Sequence, residues 1–392
     1  MKLTPSRYRK WARRWAIARA VLREVAFSGL AGMMAVAFYN VTIFNDFEPA
    51  RFSRVLAHAA MRPYAGRVLV PWASKLLSHL GDPTTLLGTR LHTTFVTWGA
   101  EHFVAAADVR IVAWLILLGT LAFRGAIEGF ARLLARFGKT SKEGTILVTV
   151  LSVLTLRVCF DFGDHFDYDP LTICLGTALF YWLEARRPVL FALTLVLAMM
   201  NKETAFVFVP VGAFMIAARS RSLPKTILWT LSHAVLAFAV WGSIVWSQHL
   251  WGPTSVRDNF LRDYAHDNLS KFVRSDTWDD FRNWLAFVFS GWLVFRKFGE
   301  RPLLLRAGLV APLFLLIGYV RGSLFGEVRV FYEAFCPIAM LAALSLAELT
   351  SSPKKVGWVR MRERTAVVVG IVTLAALHWA SICSMTRLLG AT

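Results

Sequence analysis

Long apolar segments alternate with short polar connections from near the amino terminus to the end of the chain. A helix needs about 20 mostly apolar residues to cross the hydrocarbon core of a bilayer. The pattern therefore predicts an all-α fold, a polytopic membrane helix bundle with about 11 transmembrane helices in a single integral membrane domain, residues 1–392. The predicted spans are 22–44, 104–123, 144–160, 170–185, 188–201, 203–217, 227–247, 283–296, 303–320, 333–349 and 365–386.

Charge is divided unevenly between the connections. Six stretches hold 27 of the 44 Lys and Arg residues but only 7 of the 25 Asp and Glu residues. Basic residues resist transfer across an energised membrane, so these stretches should face the cytoplasm and the other connections the exterior. We therefore expect an inner-membrane protein with a cytoplasmic amino terminus and its chemistry outside. The six stretches are 1–24, 124–143, 184–187, 218–226, 296–306 and 348–364.

Composition supports a lipid environment. With 56% hydrophobic residues, 15 Trp and 30 Phe, a soluble domain would have more apolar surface than it could bury. The net charge of +19 does not indicate a nucleic-acid partner, because the basic residues are spread over short connections between spans. The four cysteines lack the paired spacing of a disulfide or zinc framework. The basic terminus lacks a small-residue cleavage pattern and should lead into a retained first span.

Two exterior connections are long. The first, residues 45–103, contains apolar residues spaced by three and four in Arg51–Met61 and Leu69–Leu80, which predicts amphipathic helices lying along the membrane surface. The second, residues 248–282, mixes six aspartates with basic residues and is typical of a solvated loop with a short helix.

The densest candidate site is an acidic cluster between two predicted spans, Asp161, Asp164, His165, Asp167 and Asp169. Like charges near hydrocarbon are costly, so the cluster needs a cation, basic partners or protonation. Oxygen ligands with one histidine suit Mg²⁺ or Mn²⁺, and Asp164, His165 and Asp167 are the candidate ligands. Alternatively the loop only caps two helices, with Asp169 as the N-cap before Pro170.

An adjacent cation and carboxylate, Lys202 and Glu203, interrupt a long apolar run. Ionisable residues at such a helix junction are expensive unless they have a function, and this junction should lie at the same membrane face as the aspartates. Lys202 could offset Asp167 or Asp169. The alternatives are a plain hairpin turn exposed to water and a short re-entrant or tilted hairpin.

Two further exterior segments combine carboxylates with guanidinium groups. Asp46 and Glu48 follow the first span, and Arg62, Tyr64 and Arg67 come next in the same connection. Arginine forks match phosphate oxygens, and a neighbouring carboxylate could take a proton from an acceptor hydroxyl. A surface helix whose scattered arginines contact lipid headgroups would explain Arg51, Arg54 and Arg67 about equally well.

The last exterior segment places Glu327 and Arg329 before a predicted span, where they could bind an anion or simply pair with each other. The sequence contains no GxSxG, Walker, HExxH or CxxC signature, so hydrolase, ATPase and zincin mechanisms are not indicated.

The order of these motifs resembles that of the GT-C-type integral membrane glycosyltransferases, most closely their bacterial members. The resemblance rests on the carboxylates after the first span, Arg62-Pro-Tyr-Ala-Gly-Arg67, Asp167-Tyr-Asp169, Asn201-Lys-Glu-Thr204 and Glu327-Val-Arg329. It implies a bacterial inner-membrane enzyme that moves a sugar from a polyprenyl-phosphate-linked donor to a glycan, lipid or protein acceptor at the outer face.

The resemblance also implies roles for individual residues. Asp46, with Glu48 as the second choice, would be the general base. The second exterior loop would shape the substrate site and could hold the divalent cation. The implied substrate-binding residues are Arg62, Tyr64, Arg67, Asp164, His165, Asp167, Asp169, Lys202, Glu203, Glu327 and Arg329. The chain lacks the large exterior carboxy-terminal domain and the WWDYG-like motif of oligosaccharyltransferases, so the acceptor stays open.

Two other functions fit a charged membrane bundle. A transporter or lipid flippase would place ionisable groups near the bilayer midplane or break helices in two related halves, and no inverted repeat is evident in the sequence. A non-catalytic scaffold of an envelope-polysaccharide machine would not need the carboxylates at all.

Overall fold

The computed structural model of the chain describes residues 5–42, 68–83, 85, 109–138, 169–247, 295, 297–315 and 333–351. Within those ranges the structure is entirely helical, without a β-strand. The α-helices are α1 Pro5–Thr42, α2 Leu69–Ser78, α3 Val109–Arg136, α4 Asp169–Ala185, α5 Pro188–Asn201, α6 Phe208–Ser220, α7 Leu223–Ser247, α8 Leu303–Gly308 and α9 Phe335–Ser351. Two 3₁₀ helices, η1 Glu203–Val207 and η2 Phe298–Glu300, precede α6 and α8.

Three helical segments are long and apolar enough to cross a membrane: Arg110–Arg136, Glu203–Ser220 and Leu223–Ser247. The helix α5 and the stretches that begin with α8 and α9 are apolar but shorter. The predicted all-α class is confirmed for the described residues, and their apolar helices indicate a membrane protein. The predicted spans 144–160 and 365–386 and the loop 248–282 lie outside the described residues, and the number of about 11 spans stays a prediction.

Most described helices agree closely with the predicted spans, but α1 and α3 do not. The first span was predicted to begin at residue 22, and α1 already begins at Pro5, within the basic terminal stretch. The span at α3 was predicted to end at residue 123, and the helix continues to Arg136. Along this extension Arg124 and Arg132 both bond to Glu128, at 3.3 Å and 2.8 Å. Ion pairs four residues apart support a helix, so the basic stretch continues α3 instead of forming a loop.

The helix α4 lies at the centre of the described bundle, in contact with α3, α5, α8 and α9. Its contact with α3 is close because Gly125 and Gly129 face Cys174 and Thr177, and a Cβ at Gly129 would lie 2.5 Å from the Thr177 methyl group. Small residues four apart let two membrane helices approach closely. This GxxxG pair was not singled out from the sequence.

Arg124 bonds to Glu24 at 2.6 Å and joins the middle of α3 to the middle of α1. Further side-chain pairs gather at one end of the bundle, which we call the basic end. Arg219 bonds to Glu184 and joins α6 to α4. Arg301, which precedes α8, bonds to Glu348 of α9 at 2.6 Å. All of these residues belong to the six basic stretches predicted from the sequence. The pairs at the basic end join stretch 184–187 to stretch 218–226 and stretch 296–306 to stretch 348–364.

Two tight connections at the basic end contain arginine in a left-handed conformation. Arg186 follows α4 with φ 55°, and Arg221 follows α6 with φ 50°. The N–H of Arg187 bonds to the Trp182 carbonyl and that of Arg186 to the Leu183 carbonyl, which is the Schellman pattern. Glycine is the usual residue at this position, and a side chain there costs about 1 kcal/mol.

Candidate functional site

The helix hairpin between α5 and α6 builds the core of the candidate site. The helix α5 ends at Asn201 because Lys202 takes an extended conformation, with φ −160° and ψ 126°. The chain then turns through η1 and returns as α6. The predicted junction at Lys202 and Glu203 is therefore a hairpin between two apolar helices.

The side chain of Lys202 lies buried against a carboxylate from a distant part of the sequence. Its Nζ is 3.2 Å from Oε1 of Glu333 and 3.4 Å from Oε2. The exposed fractions of the two side chains are 5% and 1%. The Thr204 hydroxyl donates a short hydrogen bond to the same carboxylate. This ion pair ties the α5–η1 hairpin to the start of α9.

Neighbouring contacts hold α4 and α2 against this hairpin. The Asn201 side-chain amide donates to the Thr172 hydroxyl at 2.9 Å and fixes the end of α5 beside the first turn of α4. The backbone N–H of Val68, just before α2, donates to the Met200 carbonyl at 3.1 Å. Four elements distant in sequence therefore meet at the end of the bundle opposite the basic end.

A small cavity lies beside the ion pair. The space open to the centre of a water molecule is about 10 Å³, enough for about one water. Its walls include Thr172, Gly176, Asn201, Lys202, Phe208 and Glu333. The walls combine apolar and polar groups, and the space is too small for anything larger than about one water.

Asp169 lies one to two helical turns beyond this cavity, in the first turn of α4, and is fully buried. A carboxylate at a helix amino terminus is favoured by the helix dipole. Its place at the start of α4, before Pro170, agrees with the predicted helix start. Glu203, in η1, is half-buried.

The structure thus describes three of the predicted site residues, Asp169, Lys202 and Glu203, and places them at the same end of the bundle. The predicted counter-charge for Lys202 was Asp167 or Asp169, and Asp167 lies outside the described residues. The structure shows Glu333 beside Lys202, a residue that was not selected from the sequence. One sequence signal could have identified Glu333: it is an acidic residue directly before an apolar span. The other predicted site residues lie outside the described part of the chain: Asp46, Glu48, Arg62, Tyr64, Arg67, Asp164, His165, Asp167, Glu327 and Arg329.

Metal binding is not tested by the described residues. Among them, no group of three His, Cys, Asp or Glu side chains is arranged to hold an ion. The candidate ligands Asp164, His165 and Asp167 lie outside those ranges, so the metal site stays a prediction.

The predicted amphipathic helix at Leu69–Leu80 is confirmed as α2, Leu69–Ser78. Val70 and Ser74 on one face are buried against the bundle, whereas Trp72, Leu76 and Leu80 on the other are exposed. The indole of Trp114 on α3 donates to the Gly81 carbonyl at 2.8 Å and anchors the far end of α2. The helix therefore presents an apolar stripe close to the α5–η1 hairpin. No protein-family model, curated protein or solved structure matches this chain.

Proposed function

We propose that this chain is a membrane glycosyltransferase that moves a sugar from a polyprenyl-phosphate-linked donor to an acceptor at the outer face of the bacterial inner membrane. The observation that carries the proposal is the convergence of α2, α4, the α5–η1 hairpin and the start of α9 on one buried polar cluster. Buried charges at the end of an apolar bundle are costly and are typical of functional sites.

A lipid-linked donor requires an apolar surface beside a polar site. The exposed stripe of Trp72 and Leu76 on α2, with Leu80 in the turn that follows, supplies one, and the Val68–Met200 hydrogen bond holds this helix at the polar cluster. Amphipathic helices of this kind lie in the headgroup region with their apolar face toward the acyl chains. The isoprenoid chain of the donor would lie against this stripe.

Lys202 has a different role in this proposal from the one that the resemblance implies. Its ammonium group is held by Glu333 and is buried, so it supports the floor of the site instead of contacting the donor phosphate. Arg62, Arg67 and Arg329 are then the proposed phosphate ligands, because guanidinium groups match phosphate oxygens. Asp46 remains the proposed general base that deprotonates the acceptor hydroxyl.

The test replaces Asp46 by Asn in cells that lack the wild-type chain, with surface glycans and lipid-linked sugars measured by mass spectrometry. We expect the glycan product to disappear and the lipid-linked donor to accumulate. The matched control is Glu300→Gln at the basic end, where the side chain is 72% exposed; this variant should keep the product. Unchanged glycans in both Asp46→Asn and Asp167→Asn, at normal membrane levels, would contradict the proposal.

A further inference from the structure

The two arginine-containing turns at the basic end are held side by side. Arg219 donates to the Leu183 carbonyl at 2.8 Å and pairs with Glu184 at 2.5 Å, so the turn after α6 lies against the turn after α4. Each turn has an arginine in the left-handed conformation, Arg186 in the first and Arg221 in the second. Two cations that the chain places in unfavourable backbone positions therefore share one small surface.

Stabilisation of the helix ends does not explain why arginine occupies these two left-handed positions. Cations near a helix carboxyl terminus do interact favourably with its dipole. However, any position of the last turn gives that benefit at ordinary φ, and glycine would fill the left-handed position without strain. Unfavourable backbone conformations that persist often mark functional sites.

The surface around these turns is strongly positive. Arg187 follows Arg186 in the first of these turns, and Lys225 lies in the first turn of α7, four residues after Arg221; all four side chains are exposed. Glu184, the acid next to them, is already bound by Arg219. No ion pair joins the four cations to any other residue in the described ranges.

Apolar surface continues directly from this positive patch along α5 and α7. These helices begin at the two turns and pack in parallel, with the Phe191 ring 5.4 Å from that of Trp229. Their first two turns expose Val189 and Leu193 on α5 and Leu223 and Leu228 on α7. A ligand that fits both parts must have an anionic head and an apolar tail.

We propose that Arg186, Arg187, Arg221 and Lys225 form a binding site for the phosphate of an anionic phospholipid, whose acyl chains lie against α5 and α7. Basic pockets between membrane helices bind such headgroups, and each basic residue contributes through charge and hydrogen bonds. This site lies at the opposite end of the bundle from the proposed sugar-transfer site and does not depend on that function.

The test uses the full-length chain purified in detergent, with phosphatidylglycerol or phosphatidylcholine added and lipid binding measured by native mass spectrometry. The wild type should bind phosphatidylglycerol about tenfold or more tighter than phosphatidylcholine. Arg186→Gly with Arg221→Gly should weaken phosphatidylglycerol binding by about 25-fold, roughly fivefold for each guanidinium removed. Its melting temperature should not fall, because glycine suits both backbone positions. Arg186→Lys with Arg221→Lys should keep most of the binding.

Two further variants separate the effect of charge on lipid binding from the effect of a glycine on the backbone of the turns. Arg187→Gln with Lys225→Gln removes the same charge at ordinary backbone positions and should weaken phosphatidylglycerol binding to a similar extent. The control, Arg14→Gln with Arg23→Gln on the exposed surface of α1, should change it less than about twofold. Four results would overturn the proposal: equal binding of the two lipids by the wild type, full binding by both patch variants, an equal loss in the control, or displacement of the lipid by inorganic phosphate at equal concentration.

Discussion

Replacing Lys202 by Met should strongly destabilise the fold, because it leaves the Glu333 carboxylate buried without its counter-charge. The two groups are 3.2 Å apart, and their side chains are 5% and 1% exposed. At an effective dielectric constant of about 20, their attraction is about 5 kcal/mol. Removing one member of a buried pair typically costs about 3–5 kcal/mol, and we expect a loss in this range for Lys202→Met.

The double variant Lys202→Met with Glu333→Gln separates the pair energy from side-chain packing. The glutamine side chain would keep an oxygen that can accept the Thr204 hydroxyl, and neither charge would remain. We expect this variant to recover most of the loss and to lie within about 1–2 kcal/mol of the wild type. Glu333→Gln alone should cost about as much as Lys202→Met, because it leaves the ammonium group buried without its partner, so the coupling energy in the cycle should exceed about 3 kcal/mol.

The assay is equilibrium unfolding in mixed micelles of dodecyl maltoside and SDS, followed by tryptophan fluorescence. The control is Lys297→Met at the basic end, whose ammonium group pairs with Glu300 at 3.4 Å but is 44% exposed. Exposed pairs contribute at most about 1 kcal/mol, so this variant should be nearly neutral. The reasoning fails if Lys202→Met costs less than about 1 kcal/mol or if the double variant loses the sum of the single losses.

Two glycine substitutions should also destabilise the fold, through close helix contacts. Gly212→Ala would bring a methyl group into the Trp229 ring, and overpacking of this kind typically costs about 1–3 kcal/mol. Gly129→Ala would press on the Thr177 methyl group at 2.5 Å and should separate α3 from α4, with a loss of similar size. Gly242→Ala on α7 meets no atom within 4 Å and should stabilise the helix by about 0.5–1 kcal/mol. The same unfolding assay checks all three, and equal stabilities would refute the packing argument.

Local sequence signals were sufficient for several helices. The predicted spans 170–185 and 188–201 correspond to α4, Asp169–Ala185, and α5, Pro188–Asn201. Pro170 and Pro188 mark the starts of these two helices, and the charged pair Lys202 and Glu203 marks the end of the second in an otherwise apolar sequence. Boundaries were less accurate where charges continue a helix, as in α3, because hydropathy alone does not distinguish a loop from a charged helical extension.

The centre of the candidate site could be predicted only in part. The break at Lys202 was visible because an ionisable pair interrupts apolar sequence, but its partner Glu333 is 131 residues away. Helical periodicity reports neighbours three or four residues apart and contains no information about such a distant contact. The requirement that a buried cation be paired predicted that a carboxylate exists, and only the packing of α9 against α4 identified which one.

The two ends of the bundle use charge in physically different ways. At the basic end, Arg219 and Glu184 are each more than a fifth exposed, so water shares the cost of their charges. At the other end, Lys202 and Glu333 are almost completely buried, where well-packed apolar residues of similar size would often be at least as stable. Stability alone therefore does not account for this pair. If it supports a substrate site, the double variant with Met and Gln should fold normally yet lose the glycan product; if it only fixes the hairpin against α9, that variant should keep both.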